Sequence, residues 1–315
     1  MPEGDTIYRA ARAMQRALGG KVVTGFETGL AKIARVNDDT PVVGRTIEKV
    51  ESRGKWCLVY FSGDLILLTH MLMSGSWHLY RTGERWWMGK DRMRVAIRTA
   101  DWEAVGFNVP VVEFHTARTL ERSSQVPKLG PDLLSEEFTV EAGMARLALY
   151  GAEHPEAEIA VVLLNQRVLA GLGNVYKSEV AFAAGVNPFR AMRTITGREM
   201  EVMVEKSQQW MKANVLDATP ASQDRSSGTP EVRGNGIVTY SGNRRTTGRM
   251  DREERLWVYG RQGHECRRCG ATVMMRKQGV EARSTYWCPE CQPWVGEGNA
   301  PVGGERGSRR RKVGC

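Results

Sequence analysis

The sequence lacks any long uninterrupted apolar run. Its longest apolar runs, such as Ile159–Leu164, are far shorter than the roughly 20 residues that a membrane-spanning helix needs. It also lacks the pattern of a secretory signal peptide, because the residues after Met1 are acidic and then amphipathic. We therefore expect an intracellular, cytoplasmic protein with no membrane partner.

Cysteine is scarce and unevenly placed, which argues for a metal site in a reducing compartment rather than a disulfide framework. Of the six cysteines in the 315 residues, four form two C-x-x-C pairs separated by eighteen residues. These are Cys266, Cys269, Cys288 and Cys291. Four thiolates fill a tetrahedral shell and leave no open position for water, so we expect one structural Zn²⁺. Cys57 lies in a strand pattern and should be core, His264 is expected to be a bystander, and Cys315 ends the chain.

Acidic residues are fewer than basic ones. Lys and Arg number 45 and Asp and Glu 36, which gives a net charge of +9. This balance favours a polyanionic partner and says nothing about the fold. Residues 294–315 have no apolar pattern and include Arg309, Arg310 and Arg311. We expect this tail to be disordered and basic.

The first third of the chain alternates short apolar runs with turns. Residues 5–18 keep helical spacing before Gly19 and Gly20, which predicts one leading helix. Residues 21–114 read as short strands, with a hairpin turning at Ser62-Gly63-Asp64. A β-sandwich or barrel-like domain led by one helix is the expected result.

From about residue 129 the pattern becomes helical. Gly171 and Gly173 interrupt one helix and Asn174 begins the next, which predicts a helix-two-turn-helix. Helix-start N–H groups and an asparagine amide would make a neutral phosphate clamp; a plain helical corner with glycines for close packing is the alternative. Thr196 and Glu199 predict a capping box, and residues 217–250 read as a loop or linker.

These patterns predict an α+β multidomain chain. Residues 1–125 should form the N-terminal helix plus β-sandwich domain, and residues 126–260 the helical helix-two-turn-helix domain. A four-cysteine zinc finger should occupy residues 261–293, followed by the disordered basic tail at 294–315.

Three single residues carry chemical interest. The initiator methionine is usually removed before proline, which would leave Pro2 with a free secondary amine; a trimmed terminus that merely starts a helix is the alternative. An internal amide nitrogen has no such lone pair, because it is delocalised into the carbonyl. Lys55 follows a glycine at a strand start, and Arg283 lies on a zinc-stiffened hairpin where its planar fork suits a phosphate. Taken alone, each of these two cations would be ordinary surface.

Five motifs together resemble the formamidopyrimidine-DNA glycosylase/endonuclease VIII family of base-excision repair enzymes. They are "MPEGD", "SRGKW", "GPDLL", "LNQRVLAGLGNVYKSE" and "ARSTYWCPEC", and the resemblance runs from Met1 to about Pro293. The chain is more similar to the endonuclease VIII branch. The long arginine-phenylalanine loop signature of the 8-oxoguanine branch is missing from "FNVPVVEFHTARTL".

The resemblance implies a bifunctional DNA glycosylase/AP lyase, a hydrolase and lyase that excises oxidised bases, above all pyrimidines. Pro2 would be the Schiff-base nucleophile and Glu3 the neighbouring acid/base. Lys55 would be a proton donor and phosphate contact. Asn174 and Arg283 would hold the phosphates beside the lesion, with Arg283 also linked to the second elimination. The strand would be nicked by β- or β,δ-elimination.

The resemblance also implies further DNA contacts. Lys128 matches a basic DNA-contacting position, and Leu72, Met73 and Ser74 match the place of the void-filling residues. Leu72 and Met73 could instead be strand core. The partner would be damaged DNA, bound by a nucleoid-associated monomer without an organic cofactor.

One departure concerns the residues after "PEG". The family often has Pro-Glu there, whereas this chain has Asp5 and Thr6. A second carboxylate on the lesion side is therefore missing unless Asp5 takes that place. Two other functions remain open at this point: a non-catalytic zinc-dependent DNA-binding relative, and a zinc-ribbon RNA-binding protein. The second explains the charge and the zinc but not the N-terminus.

Overall fold

The computed structural model describes residues 2–123, 126–216, 244–249, 251, 253–295 and 303. Most of the predicted linker and almost all of the predicted basic tail, including Arg309, Arg310, Arg311 and Cys315, lie outside these residues. Among the helices that are described, none combines the length and the apolar composition that crossing a bilayer requires.

The described residues form seven α-helices and ten strands. The helices are α1 (Gly4–Leu18), α2 (Ala31–Asp39), α3 (Ala117–Arg122), α4 (Val140–Glu153), α5 (Ile159–Leu164), α6 (Asn174–Ala183) and α7 (Gly197–Leu216). The strands are β1 (Gly25–Thr28), β2 (Ile47–Arg53), β3 (Trp56–Phe61), β4 (Leu65–His70), β5 (Ser76–Arg81), β6 (Met93–Arg98), β7 (Trp102–Phe107), β8 (Val111–His115), β9 (Met274–Gln278) and β10 (Arg283–Trp287).

The N-terminal part is a β-sandwich led by α1. Its two four-stranded sheets have the orders β1-β6-β7-β5 and β2-β3-β4-β8, with antiparallel pairing throughout. Ile7 and Leu18 of α1 share one core cluster with Val59, Leu67 and Trp77 from the sheets. Each such buried aliphatic side chain contributes about 1.5–3 kcal/mol. The core therefore fixes α1 against the sandwich.

The predicted hairpin is confirmed, and one helix was missed. β3 and β4 pair with Phe61 opposite Leu65, and Gly63 and Asp64 take the left-handed conformation at the turn. The prediction of a single helix before residue 114 is wrong because α2 forms within the sandwich. Only Ile33 of α2 is buried, so its apolar periodicity is too weak to be seen in the sequence.

The helical part follows, with a second core of its own. α5 and α6 are separated by residues 165–173, which contain both motif glycines, so the helix-two-turn-helix prediction is confirmed. The capping box also forms: the Glu199 N–H donates to Thr196 Oγ1 at 3.2 Å and the Thr196 N–H donates to Glu199 Oε2 at 2.7 Å. The helical pattern expected from residue 129 is realised only from Val140 onward.

The cysteine module packs on α6. The backbone N–H groups of Trp257, Val258 and Tyr259 donate to the buried Glu179 carboxylate at 2.8–2.9 Å. The Tyr286 N–H donates to Ser178 Oγ at 3.3 Å, which holds β10 beside the same helix. The hairpin predicted around Arg283 therefore forms and lies on the helix that Asn174 begins.

Candidate active site

Glu3 and Gly4 lie on the turn between α5 and α6. The Gly4 N–H donates to the Gly171 carbonyl at 2.9 Å, and Gly171 is left-handed with φ +99°. A Cβ added at Gly173 would lie 2.3 Å from Glu3 Cδ, closer than real atoms approach. The two glycines are therefore needed for close contact and for backbone conformation, which joins "PEG" to "GLGN".

Glu3 occupies the centre of this contact. Its side chain is fully buried, and its Oε1 accepts a hydrogen bond from the Val175 N–H at 2.8 Å in the first turn of α6. A helix N-terminus favours a carboxylate at this place. Its Oε2 has no hydrogen-bond partner among the described residues. A buried carboxylate oxygen without a partner beside the half-buried Pro2 is suited to exchange a proton with a bound molecule.

The turn that carries Lys55 is pinned to the same place. Gly54 is left-handed with φ +58°, and its N–H donates to Asp132 Oδ2 at 2.6 Å. Asp132 belongs to "GPDLL" and forms a backbone bridge with Ala170, next to the glycine turn. The motifs "SRGKW", "GPDLL" and "LAGLGN" therefore contact one another at a single junction. These contacts explain why the three motifs occur together.

Lys55 has an unusual titration. Burial lowers its pKa to about 8; the Glu3 charge opposes that shift, and the charges of Arg283 and Arg244 add to it. A lysine with this pKa exchanges protons close to neutral pH, whereas an exposed lysine holds its proton. Lys55 is therefore equipped both to donate a proton and to meet an anion.

Asn174 and Arg283 approach the junction from α6 and the cysteine hairpin. Asn174 Nδ2 donates to the Ser284 carbonyl at 3.0 Å, so the two elements are joined next to Arg283. The Arg283 side chain is 37% exposed, and its Nη2 lies 2.6 Å from Oε2 of the exposed Glu281. The ion pair with an exposed carboxylate is weak and exchangeable, so a phosphate could replace Glu281 at the guanidinium.

Leu72 and Met73 lie in the turn between β4 and β5. Their side chains are 48% and 68% exposed, so the alternative that they are strand core is wrong. Leu72 has φ +45°, a left-handed conformation that costs a branched residue about 1–2 kcal/mol. Its N–H donates to His70 Nδ1 at 3.0 Å, which supports the conformation. Exposed apolar side chains on a strained turn suit insertion into an apolar space.

Lys128 is not brought into this cluster. It ends a short 3₁₀ turn and its side chain is exposed. Within the described part of the chain, no hydrogen bond or ion pair joins it to another candidate residue. Its assignment as a DNA contact stays a prediction.

The sequence analysis missed Lys177. It follows Asn174 by three residues, on the same face of α6, and is only 1% exposed. Burial, followed by the Arg283 charge, lowers its pKa to about 7. Its spacing from Asn174 was the available signal, but a lysine on a helix is usually solvated.

Asp5 binds an arginine and a tyrosine side chain, so it is not the second carboxylate on the lesion side. Both of its oxygens bind the Arg244 guanidinium, at 2.9 and 2.6 Å, and Tyr176 OH donates to Oδ2 at 3.0 Å. The possibility that Asp5 takes that place is therefore wrong for this structure.

The four cysteines fit a tetrahedral metal. Their sulfurs all lie within 4.8 Å of one another, with 3.8 Å between Cys266 and Cys291 and 3.5 Å between Cys269 and Cys288. Zinc–sulfur bonds of about 2.3 Å in a tetrahedron put the sulfurs about 3.8 Å apart, whereas a disulfide needs about 2.05 Å. His264 is not among the clustered ligands. Cys57 is buried core, as expected, and burial raises its thiol pKa to about 12.

Two family models match the chain. The formamidopyrimidine-DNA glycosylase N-terminal domain covers residues 1–121, and the formamidopyrimidine-DNA glycosylase H2TH domain covers residues 129–225. The fold and the junction of motifs define a DNA glycosylase architecture. The chain belongs to the formamidopyrimidine-DNA glycosylase/endonuclease VIII family.

Curated relatives carry endonuclease VIII names. The chain is 37% identical to "Probable endonuclease 8 2" of Streptomyces coelicolor, over 99% of this chain and 100% of the relative. It is 32% identical to "DNA-(apurinic or apyrimidinic site) lyase Nei2" of Mycolicibacterium smegmatis, over 93% and 99%. Identity to "Endonuclease 8" of Escherichia coli is 28%, over 93% and 100%.

Solved structures show the same fold. The Lactococcus lactis Fpg in complex with DNA containing an abasic site matches with a TM-score of 0.71 and 21% identity. The match covers 93% of this chain and 100% of that chain.

Proposed function

We propose that the protein is a bifunctional DNA glycosylase/AP lyase of the endonuclease VIII type, acting through a Schiff base on Pro2 in base-excision repair. One observation carries the proposal. Pro2, the buried Glu3 carboxylate, whose Oε2 has no hydrogen-bond partner among the described residues, and Lys55, whose pKa is lowered, lie at one junction. An α-amine ordinarily titrates near pH 8, so part of it is neutral in the cell once Met1 is removed.

The damaged nucleotide has to leave the base stack before Pro2 can reach its sugar. Leu72 and Met73 would fill the space that the flipped base vacates, as exposed apolar side chains on a fixed turn. Lys55, Asn174 and Arg283 would hold the phosphates around the flipped nucleotide. These three residues come from β-sandwich, α6 and cysteine hairpin, so the clamp requires all three parts of the chain.

The first half of the reaction forms the Schiff base. The Pro2 nitrogen donates its lone pair to C1′, and the bond from C1′ to the base breaks with its electron pair leaving on the base, which takes up a proton. Glu3 takes the proton that the Pro2 nitrogen loses after the attack and passes it to O4′; the C1′–O4′ bond breaks with its electron pair on O4′, and an iminium joins Pro2 to C1′. Glu3 Oε2 is the atom assigned to this transfer, because Oε1 already accepts the Val175 N–H.

The second half breaks the strand. The iminium withdraws electrons, so a proton leaves C2′ and the 3′ phosphate departs with the electron pair of its C3′–O bond. Loss of a C4′ proton would expel the 5′ phosphate in the same way if the elimination continues. Arg283, whose exposed ion pair with Glu281 is exchangeable, would neutralise the departing charge. Water then hydrolyses the iminium and frees Pro2.

The cysteine module supports this site at a distance. Cys266, Cys269, Cys288 and Cys291 would hold one structural Zn²⁺, which stiffens the hairpin that carries Arg283. All four ligand positions are filled by protein, so the ion has no place for water or substrate.

Borohydride trapping tests the proposal directly. Protein with a free Pro2 terminus should form a covalent, reduction-stable adduct with DNA that contains an abasic site, because only an amine lyase passes through an iminium. Protein that retains Met1 or an N-terminal tag should not form it. Pro2→Gly keeps a primary amine and should retain part of the trapping. Full lyase activity with a blocked terminus would refute the proposal.

Oxidised pyrimidines are proposed as the preferred lesions. The proposal rests on the resemblance of the sequence motifs to the endonuclease VIII branch, whose name the curated relatives also carry. A panel of duplexes, bubbles and single strands carrying oxidised pyrimidines or oxidised purines measures the preference. Faster single-turnover release of oxidised purines than of oxidised pyrimidines would contradict it.

A further inference from the structure

Among the carboxylates close to Pro2, that of Asp5 accepts the most hydrogen bonds. It lies in the first turn of α1, three residues after Pro2, and is fully buried. Oδ2 accepts from Arg244 Nε at 2.9 Å and from Tyr176 OH at 3.0 Å. Oδ1 accepts from Arg244 Nη2 at 2.6 Å and from the Thr6 N–H at 2.7 Å. Such a bidentate, buried pair fixes direction as well as distance.

Arg244 comes from a distant part of the sequence and is itself held in place. The described segment 244–249 is anchored on α7, where Asn214 and the Arg245 backbone exchange two hydrogen bonds of 2.7 Å. It is also anchored on α6, because Thr246 Oγ1 donates to Glu179. The guanidinium lies 5.1 Å from the ring centre of Tyr176, within cation–π range.

The exposure of Arg244 separates it from the phosphate-binding cations. Its side chain is 7% exposed, against 37% for Arg283, and its fork faces a carboxylate. A guanidinium bound in this way does not contact a DNA phosphate. Its effect on the reaction has to pass through Asp5 and through its charge.

The positive charge of Arg244 interacts electrostatically with other residues of the junction. It contributes to the lowered pKa of Lys55, and the Glu3 charge in turn raises the pKa of Arg244. Burial raises the pKa of Asp5, but the charge and hydrogen bond of Arg244, with smaller contributions from Arg9 and Tyr176, together outweigh burial and bring the value down to about 2.

Two other groups face the pair. The charge of Arg9, from the next turn of α1, adds to the lowering of the Asp5 pKa, and the Tyr176 hydroxyl donates to the carboxylate. A partly buried second cation and one hydroxyl do not replace the fork of Arg244. Without Arg244, the buried carboxylate would lose its bidentate partner.

We infer that Arg244 is a positioning residue for the proposed lyase: through Asp5 it holds the first turn of α1, and hence Pro2 and Glu3, against α6. The inference rests on the proposed function and deepens it. Both Asp5 oxygens are engaged by Arg244, so Asp5 does not supply the second carboxylate on the lesion side. This chain therefore uses Asp5 to orient the terminus and not to meet the damaged base.

A double-mutant cycle tests the inference with Arg244→Met, Asp5→Asn and the two combined. The readouts are the dissociation constant for DNA with a reduced abasic analogue, and the single-turnover borohydride-trapping rate across pH. Arg244→Met should slow trapping by at least about tenfold, while the dissociation constant stays within about twofold. Because each change breaks the same pair, the combined variant should trap no slower than the slower of the two single variants, so that the two losses do not add.

The pH profile distinguishes positioning from general loss of structure. Removing the Arg244 cation raises the pKa of nearby amines, so the trapping profile of Arg244→Met should move to higher pH. Asp5→Asn leaves the cation unopposed and should move the profile to lower pH. Arg249→Met is the matched control, because Arg249 lies in the same segment, is 61% exposed and pairs only with Glu254 among the described residues. It should change neither readout.

Each other outcome overturns the inference. If the losses of the two single variants add in the combined variant, the pair is not the coupling. If Arg244→Met weakens binding and flattens its salt dependence with an unchanged pH profile, Arg244 is a phosphate contact. If Arg244→Met does not fold, Arg244→Lys keeps the charge and loses the fork, and a wild-type trapping rate in that variant refutes the positioning role. Wild-type protein that fails to trap refutes the proposed function instead.

Discussion

The affinity for abasic DNA should fall as pH rises from 7 to 9, and Lys55 should account for a defined part of the fall. The buried Lys55 ammonium has a pKa of about 8 in the free protein. A phosphate beside it would favour the charged form, so the complex holds the proton. Binding at alkaline pH must therefore take up a proton that binding at pH 7 does not need.

The size of the effect follows from the pKa. At pH 7 about 0.9 of Lys55 is protonated in the free protein, and at pH 9 about 0.1 is, so binding through Lys55 should weaken roughly tenfold, or about 1.4 kcal/mol. Lys55→Arg carries a permanent charge and should lose this share of the pH dependence. Lys177, with a pKa of about 7, can add a share of its own. That share is present in both proteins, so it cancels in their difference.

The assay is fluorescence anisotropy with a duplex containing a stable abasic analogue, at constant ionic strength from pH 6.5 to 9.5. Lys49→Arg is the matched control, because Lys49 is 59% exposed on the same β2–β3 hairpin and pairs with Glu51. It should follow the wild-type curve. The same slope for Lys55→Arg and wild type would show that Lys55 does not meet a phosphate or that its pKa is ordinary.

Three further predictions concern other parts of the site. Glu3→Gln should lose base excision yet keep much of the nicking of preformed abasic sites, since the iminium acidifies the sugar by itself; equal loss in both incision assays would contradict this. Cys288→Ser, or a chelator, should release zinc and weaken DNA binding, because folding of the module is coupled to metal; active protein with zinc content near zero would refute it. His70→Ala should release the Leu72 turn, and Met73→Ala should shorten the wedge. Both should slow excision from duplex more than from single-stranded DNA, and equal slowing would argue against a wedge.

Much of the site could be predicted from the sequence because its parts are local patterns. The Cys266 and Cys288 pairs predict a metal by spacing alone, and their sulfurs do cluster. The glycines around residue 172 predict a break between two helices, and the break is where Glu3 packs. In patterns of this kind a few neighbouring residues determine the local geometry, so one sequence is enough to recognise them.

The remainder depends on pairings that a sequence does not display. Asp5 and Arg244 are 239 residues apart, and nothing near either of them marks the other as its partner. Lys177 has an ordinary helical context, yet it is only 1% exposed once the chain has folded. α2 was missed for a related reason, since one buried residue does not make a periodic pattern. Charge pairing and burial across the junction are properties of the assembled chain.

This assembly has a consequence for how the proposed chemistry is controlled. Pro2 is only as well placed as the first turn of α1, which is bound by the Gly171 carbonyl on one side and by Arg244 on another. Lys55 is placed by Asp132, and Arg283 by a hairpin that Asn174 joins to α6. Each reacting group thus depends on a neighbour from a different part of the chain. These links converge on α6 and on the glycine turn before it. The two cores and the cysteine module must therefore all pack correctly around that turn before Pro2 can be held in a reactive position.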